Sequence, residues 1–262
     1  TLTEKVLMKF DSVTFVSGTL TFNGSFDTYK KWFNDENFKS FIMKSSNSQY
    51  SKGHLFIPTD IERYNYQSHD DYVQSIVSYI IDYANVVQGK CLVLFTSYKM
   101  LNEVMAYLQD LESLEDYVIL SQQPSQNVKI VQQFNHFDKA ILLGTSMFFE
   151  GFDYQATGIK CVMITKLPFM SQYHAKPVLL KDEFDNIFKD YILPEAVSRF
   201  KQGLGRLLRN ENDEGIVVSF DNRLIQQHYR HFFNDAIEPF QRYEGNIEQF
   251  DALLNKLNSK KD

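Results

Sequence analysis

The densest chemistry in the 262-residue chain lies near its end, in EAVSRFKQGLGRLLRN (195–210). Gln202, Arg206 and Arg209 follow the spacing Q-x-x-G-R-x-x-R. Two planar, permanently charged guanidiniums one turn apart make a fork suited to phosphate oxygens. At about 100° per residue these three side chains share one side of a helix. Phe200, Leu204, Leu207 and Leu208 fall on the other. A polar stripe opposite an apolar stripe describes any surface helix. Gly203 and Gly205 add something more, because each costs roughly 1 kcal/mol against alanine inside a helix. A helix that must approach another backbone or a phosphate gains from that; a plain surface helix does not.

Two further stretches place polar groups at the ends of apolar runs. AILLG (140–144) leads into GTSMFFEGFD (144–153), so backbone N–H groups and the Thr145 hydroxyl sit where open α/β sheets bind ligands. Glu150, Gly151 and Asp153 are placed to reach a ribose or to structure that loop. After CLVLF (91–95) comes Thr96-Ser97-Tyr98, a hydroxyl pair that also reads as an ordinary helix N-cap.

These residues need a scaffold, and the apolar pattern supplies one. Short apolar runs lie at 13–18, 54–57, 91–95, 117–120, 140–144, 161–165 and 216–220, and several are apolar at consecutive positions, as strands buried on both faces of a parallel sheet are. Helical periodicity lies between them, in Val73, Ile76, Val77, Ile80, Ile81 and Ala84, then in Leu101, Val104, Met105 and Leu108. It recurs after Pro124 in Ile130, Val131 and Phe134, and Pro194 opens the arginine helix. The alternation predicts a doubly wound α/β domain with a mostly parallel sheet and helices on both faces. Residues 20–70 have weak periodicity, with one helix expected over 27–41, and a closing helix is expected over 247–257.

Composition narrows the classes. The 27 Lys and Arg against 33 Asp and Glu leave a net charge of −6, so any anion site is a local patch on an acidic body. With 44% hydrophobic residues the chain is an ordinary globular one. No apolar run approaches the ~20 residues that span a bilayer, and no secretory signal opens the chain. Cys91 and Cys161 sit singly in apolar runs, which reads as buried thiols in a reducing, cytoplasmic setting, and without CxxC no metal site is expected. A free-standing hydrolase would need GxSxG or HExxH, and neither occurs. Nor does GxxxxGK[ST]: Gly89-Lys90 lacks the upstream glycine and the following hydroxyl.

SGTL (17–20), LVLFTSY (92–98), LLGTSMFFEGFD (142–153), KLPF (166–169) and QGLGRLLR (202–209) stand in the order found in DinG/XPD-type superfamily 2 helicases. The chain resembles that family over nearly its whole length. The first, second, third and fifth segments look like motifs III, IV, V and VI. The motif V stretch departs from the family's pattern at Met147, Phe148, Phe149 and Phe152. The tail HYRHFF (228–233) is similar to the family's ending, and the chain opens on Thr1, which together suggest the C-terminal portion of a longer protein.

The resemblance implies a RecA-like second motor lobe. It implies that residues 1–24 are the trailing edge of the first lobe, 25–45 a connector with a helix, 46–235 the C-terminal lobe and 236–262 a helical tail. Arg206 and Arg209, with Gln202 beside them, would be arginine fingers. Glu150, Gly151, Asp153 and Gly205 would line the nucleotide site, and Thr96, Ser97 and Thr145 would hold DNA phosphates. Ser17, Gly18 and Thr19 would couple nucleotide state to DNA. ATP with Mg²⁺, the first motor lobe of the same polypeptide and single-stranded DNA are the implied cofactors and partners. Phosphoryl transfer also needs a cradle, a metal and a water-positioning carboxylate, so this chain alone is expected to be inactive. A second expectation is a regulatory nucleotide- or DNA-binding lobe that gates a fused 3′–5′ exonuclease without unwinding.

Overall fold

The computed structural model describes residues 9–17, 20–33, 39–42, 52–62, 64–65, 67–109, 111–123, 125–149, 158–171, 173–208, 213–238 and 240–259. Within them β1 (Gly53–Pro58), β2 (Lys90–Leu94), β3 (Val118–Ser121), β4 (Ala140–Gly144), β5 (Ile159–Ile164), β6 (Gly215–Ser219) and β7 (Gln241–Gly245) form one sheet. Its order is β3-β4-β2-β5-β6-β1-β7, and every pairing is parallel.

The helices are α1 (Asp27–Phe33), α2 (His69–Val87), α3 (Tyr98–Gln109), α4 (Asn127–His136), α5 (Ser146–Phe149), α6 (Ala175–Leu180), α7 (Leu193–Leu204), α8 (Arg223–Gln226), α9 (Arg230–Ala236) and α10 (Ile247–Asn258). Two cores lie on the two faces. One joins Leu92 and Leu94 to Ile130, Phe134, Phe149, Phe200, Leu224 and Phe233, so α4, α5, α7, α8 and α9 share that face. The other joins Cys91 and Val93 to Tyr72, Ile76, Leu101, Val104, Phe250 and Leu254 of α2, α3 and α10. Alternate residues of β2 serve opposite cores, which is why Cys91–Leu94 is apolar without a break. The chain leaves β2 on one face and leaves its neighbours β4 and β5 on the other. The carboxyl end of β2 is therefore a topological switch point, the usual crevice for ligands in such sheets.

Both cysteines are buried, on β2 and β5, where Cys91 and Cys161 are register partners. Burial pushes the Cys161 thiol well above its usual pKa. Lys90 turns its ammonium to the Asn135 carbonyl at 3.0 Å. Among the described residues no helix is long and apolar enough to cross a membrane.

Three expectations need correction. Residues 12–17 form no strand, although VTFVSG is patterned as one; Val16 is 89% exposed and none of the described strands takes the segment into the sheet. The connector helix is described over Asp27–Phe33 and does not extend to 39–41; it docks through Trp32, whose indole N–H donates to the Asp190 carbonyl at 3.1 Å. Residues 236–262 are more than a helical tail, since β7 pairs with β1 and α10 covers the second core. An edge strand reading QRYEG has no apolar run to betray it, whereas α10 announces itself with an Asn246–Gln249 capping box.

Candidate functional site

The arginine helix begins on a π turn (Phe188–Ile192) and carries Pro194 in its first turn. It ends at Leu204, one turn earlier than the periodicity suggests. Gly205 caps it, with its N–H donating to the Lys201 carbonyl at 3.0 Å. Arg206 therefore stands in the turn after the helix, half-buried. Leu207 and Leu208 are buried on its far side, and Leu207 presses on Gly215: a Cβ there would come within 2.5 Å of its Cδ1. Since Gly215 opens β6, the Arg206 turn reaches down to the amino-terminal end of that strand. Gln202 is half-buried on the last turn of α7. Arg209 lies outside the described residues.

The structure gives Gly203 a reason different from the one expected. It approaches no foreign backbone; a Cβ there would stand 3.1 Å from Phe149 Cδ1 and 3.3 Å from Leu94 Cδ1. The glycine lets α7 close onto α5, the short helix that follows β4. Phe148 and Phe149 are both fully buried, so these two departures from the family pattern are packing residues. Gly144 has a similar reason, because a Cβ on it would meet Phe148 Cγ at 2.5 Å. Glu150, Gly151, Asp153 and Phe152, and the side chain of Met147, lie outside what is described.

The hydroxyl residues divide. Thr145 is only 4% exposed, and its N–H and Oγ1 both donate to Gln122 Oε1, at 2.6 and 2.9 Å. Thr96 and Ser97 stand exposed just past β2. Ser97 Oγ accepts from the Met100 N–H at 3.4 Å, so it also caps α3. Ser17 is exposed in the irregular N-terminal segment, and Gly18 and Thr19 are outside the described residues.

The same carboxyl edge carries groups that the sequence reading passed over. Asp221, just past β6, is buried, and its Oδ1 accepts from Arg223 Nε at 2.8 Å. Its Oδ2 accepts from the Leu167 N–H at 2.8 Å and from Arg223 Nη2. Burial works against the Arg223 charge, but the Asp221 hydrogen bond and charge, with Tyr229 and Tyr72, together outweigh it and the pKa is raised. Tyr72, from α2, donates to the Thr165 carbonyl, and burial followed by Asp221 holds its phenol far above the usual pKa. Lys166 lies over the ring of Tyr64, and desolvation lowers its pKa to about 8, partly offset by Asp221. One rule would have found Gln122, Lys166 and Asp221: each is at or next to the first residue beyond a parallel strand's carboxyl end. Among the described residues no group of three or more His, Cys, Asp or Glu is placed to hold a metal.

Two constellations result. The Arg206 turn descends toward the amino end of β6, while Thr96, Ser97 and Lys166 crown the carboxyl edge. The separation is set by a five-residue strand, roughly 16 Å at 3.3 Å per residue.

Residues 80–240 match the family model described as helicase C-terminal domain. The chain is 55% identical over 257 residues to a 3′-5′ exonuclease DinG of Staphylococcus haemolyticus strain JCSC1435, covering 98% of this chain and 29% of that protein. It is 56% identical over 261 residues to the protein of the same name from Staphylococcus aureus strain MRSA252, covering 99% and 29%. The chain thus spans under a third of these curated relatives. Among solved structures it resembles an XPD helicase with a TM-score of 0.62 at 15% identity, over 87% of this chain and 42% of that one. It also resembles Saccharomyces cerevisiae Dbp5 bound to RNA and ADP BeF3 with a TM-score of 0.55 at 15% identity, over 91% and 53%. These likenesses show the RecA-like α/β fold.

Proposed function

Because the chain belongs to the helicase C-terminal domain family, as a DinG/XPD-type lobe, we propose that it is one half of an ATP-driven motor acting on single-stranded DNA. In this reading Arg206 and Arg209, with Gln202 beside them, reach across an inter-lobe cleft to the γ-phosphate. Their charge stabilises the oxygens of the transferred group, the role worth most in such enzymes. Glu150, Gly151, Asp153 and Gly205 border the nucleotide on this side. The phosphate cradle and the Mg²⁺ ligands belong to the first lobe of the same polypeptide. Thr96 and Ser97 meet DNA phosphates, and Thr145 holds its place on that edge through Gln122.

The observation that carries the reading is the Gly203–Phe149 contact. It joins the helix that presents Arg206 to the segment leading into Glu150, so both nucleotide-facing elements ride on one rigid core. The exposed Val13, Phe15 and Val16 support the division of the chain. A strand pattern that joins no strand of this sheet suits a segment whose sheet is in the preceding lobe, with Ser17, Gly18 and Thr19 at its end coupling the two.

The test is Arg206→Ala in the full-length protein. ATP hydrolysis should slow by roughly 10³–10⁵, the usual worth of an arginine finger, with nucleotide still bound. Near-normal turnover would remove Arg206 from that role. A second reading is favoured by the relatives' own name, 3′-5′ exonuclease. There the lobe gates a fused nuclease and no unwinding occurs. Strand displacement by the full-length protein separates the two, since only the motor reading requires ATP-dependent product.

A further inference from the structure

Lys166 is a half-buried ammonium for which the described residues provide no oxygen. Its Nζ lies 2.8 Å from the centroid of the Tyr64 ring and 6.0 Å from that of Tyr72. That aromatic wall is fixed: Tyr64 meets His69 and Tyr72 edge-on, His69 bonds Glu103 at 2.6 Å, and Tyr72 is tied to the Thr165 carbonyl. Asp221 is the carboxylate whose charge reaches Lys166, but its oxygens are already taken by Arg223 and the Leu167 N–H. Arg223 in turn is held between Asp221 and the face of Phe169. Among the described residues nothing accepts from the three N–H donors of Lys166.

Its position says which acceptor. The Thr165 N–H and hydroxyl both donate to the Leu94 carbonyl, at 3.0 and 3.1 Å. This pairing locks the ends of β5 and β2 together and sets Lys166 one strand over from the exposed Thr96 and Ser97. We propose that Lys166 binds a backbone phosphate of the single strand, carrying the track of Thr96 and Ser97 from β2 onto β5. The proposal rests on the DNA-motor reading above. Tyr64 supplies the platform: it holds the ammonium by its ring face without satisfying it, so little reorganisation is needed when a phosphate arrives.

Protonation gives the site a signature. The free ammonium loses its proton near pH 8, held down by burial and Arg223 against the pull of Asp221. A bound phosphate favours the charged form, so binding must take up a proton above that pH and affinity falls as pH rises through it. Tyr64, Tyr72, Asp221, Arg223 and the His69–Glu103 pair are the titratable or charged groups around it. An arginine at this position stays charged throughout.

The experiment measures binding of a fluorescent oligo-dT to the full-length protein, titrated with salt at pH 7 and again up to pH 9.5. Lys166→Met should weaken binding roughly tenfold, as loss of a charged hydrogen bond does. It should also reduce the log–log salt slope by about 0.7, the value for one phosphate on a single strand. Lys166→Arg should restore affinity and flatten the pH dependence, while KM for ATP at saturating DNA stays unchanged in both. Normal binding by Lys166→Met overturns the proposal alone. So does a loss with an unaltered salt slope that arginine fails to rescue, or a raised KM for ATP with DNA binding intact. If the wild-type protein binds no single strand at all, the motor reading itself fails.

Discussion

Arg206 is held from beneath, with Leu207 and Leu208 buried after it and Gly203 closed onto Phe149 before it. Thr96 and Ser97 follow directly on the end of a strand, Ser97 also capping α3, and both stand in solvent. The first region cannot be altered without disturbing the core, and the second can. A group meant to meet a transferring phosphoryl oxygen has to be preorganised to a fraction of an ångström, and packing provides that. A group meant to track a sliding phosphate chain needs access more than rigidity. The difference predicts which substitutions damage the lobe and which damage only its binding.

The largest separation should come from Phe149→Ala. The ring is fully buried between α5 and α7, so truncation should destabilise the chain by about 3–5 kcal/mol, as buried aromatic deletions do. In the full-length protein it should lower ATP turnover as well, because the cavity lies directly against the helix that presents Arg206. Denaturant unfolding together with steady-state ATPase reads both. A stability loss with turnover per folded molecule intact would show that the two elements proposed to face the nucleotide are not mechanically joined.

Gln122 lies between the regions in kind, a buried polar side chain that ties the carboxyl edge to the core. Gln122→Ala leaves the buried Thr145 N–H without its acceptor, at a cost of about 1–3 kcal/mol. Gln122→Glu keeps an acceptor in place but buries a charge at a residue only 5% exposed, so it should recover only part of that loss at neutral pH. Equal stability of wild type and the alanine variant, read by thermal melting, would mean that Thr145 finds another partner and that the edge is softer than drawn.

Much of the fold was legible because both-face burial leaves a mark: six of the seven apolar runs became strands, from His54 to Phe220. The exception, VTFVSG, has the composition of a strand but joins none of the described strands, and pairing is not a property of one segment. β7 failed in the opposite sense, being paired but too polar to show. The candidate site was legible in residue type and not in environment. Sequence placed Gly203 against a phosphate or another backbone, and only coordinates reveal the Phe149 ring. It treated Thr145 like Thr96, though one donates to a buried glutamine and the other faces water. It marked KLPF as a family segment without a role for Lys166, since a lysine's worth depends on which carboxylates around it are already occupied.

The smallest stability effects belong to the rim, and there they can be separated from binding. Thr96→Ala touches an exposed side chain and should move stability by no more than about 0.5 kcal/mol. Ser97→Ala removes the α3 cap as well, costing about 1 kcal/mol. Ser97→Asp keeps a capping oxygen, so stability should stay near wild type, but it sets a negative charge in the path assigned to phosphates. Oligo-dT affinity of the full-length protein should therefore fall more for Ser97→Asp than for Ser97→Ala, while the order of their melting temperatures is the reverse. Parallel losses in both measurements would make Ser97 a helix cap and nothing more, leaving Thr96 and Lys166 to define where the strand runs.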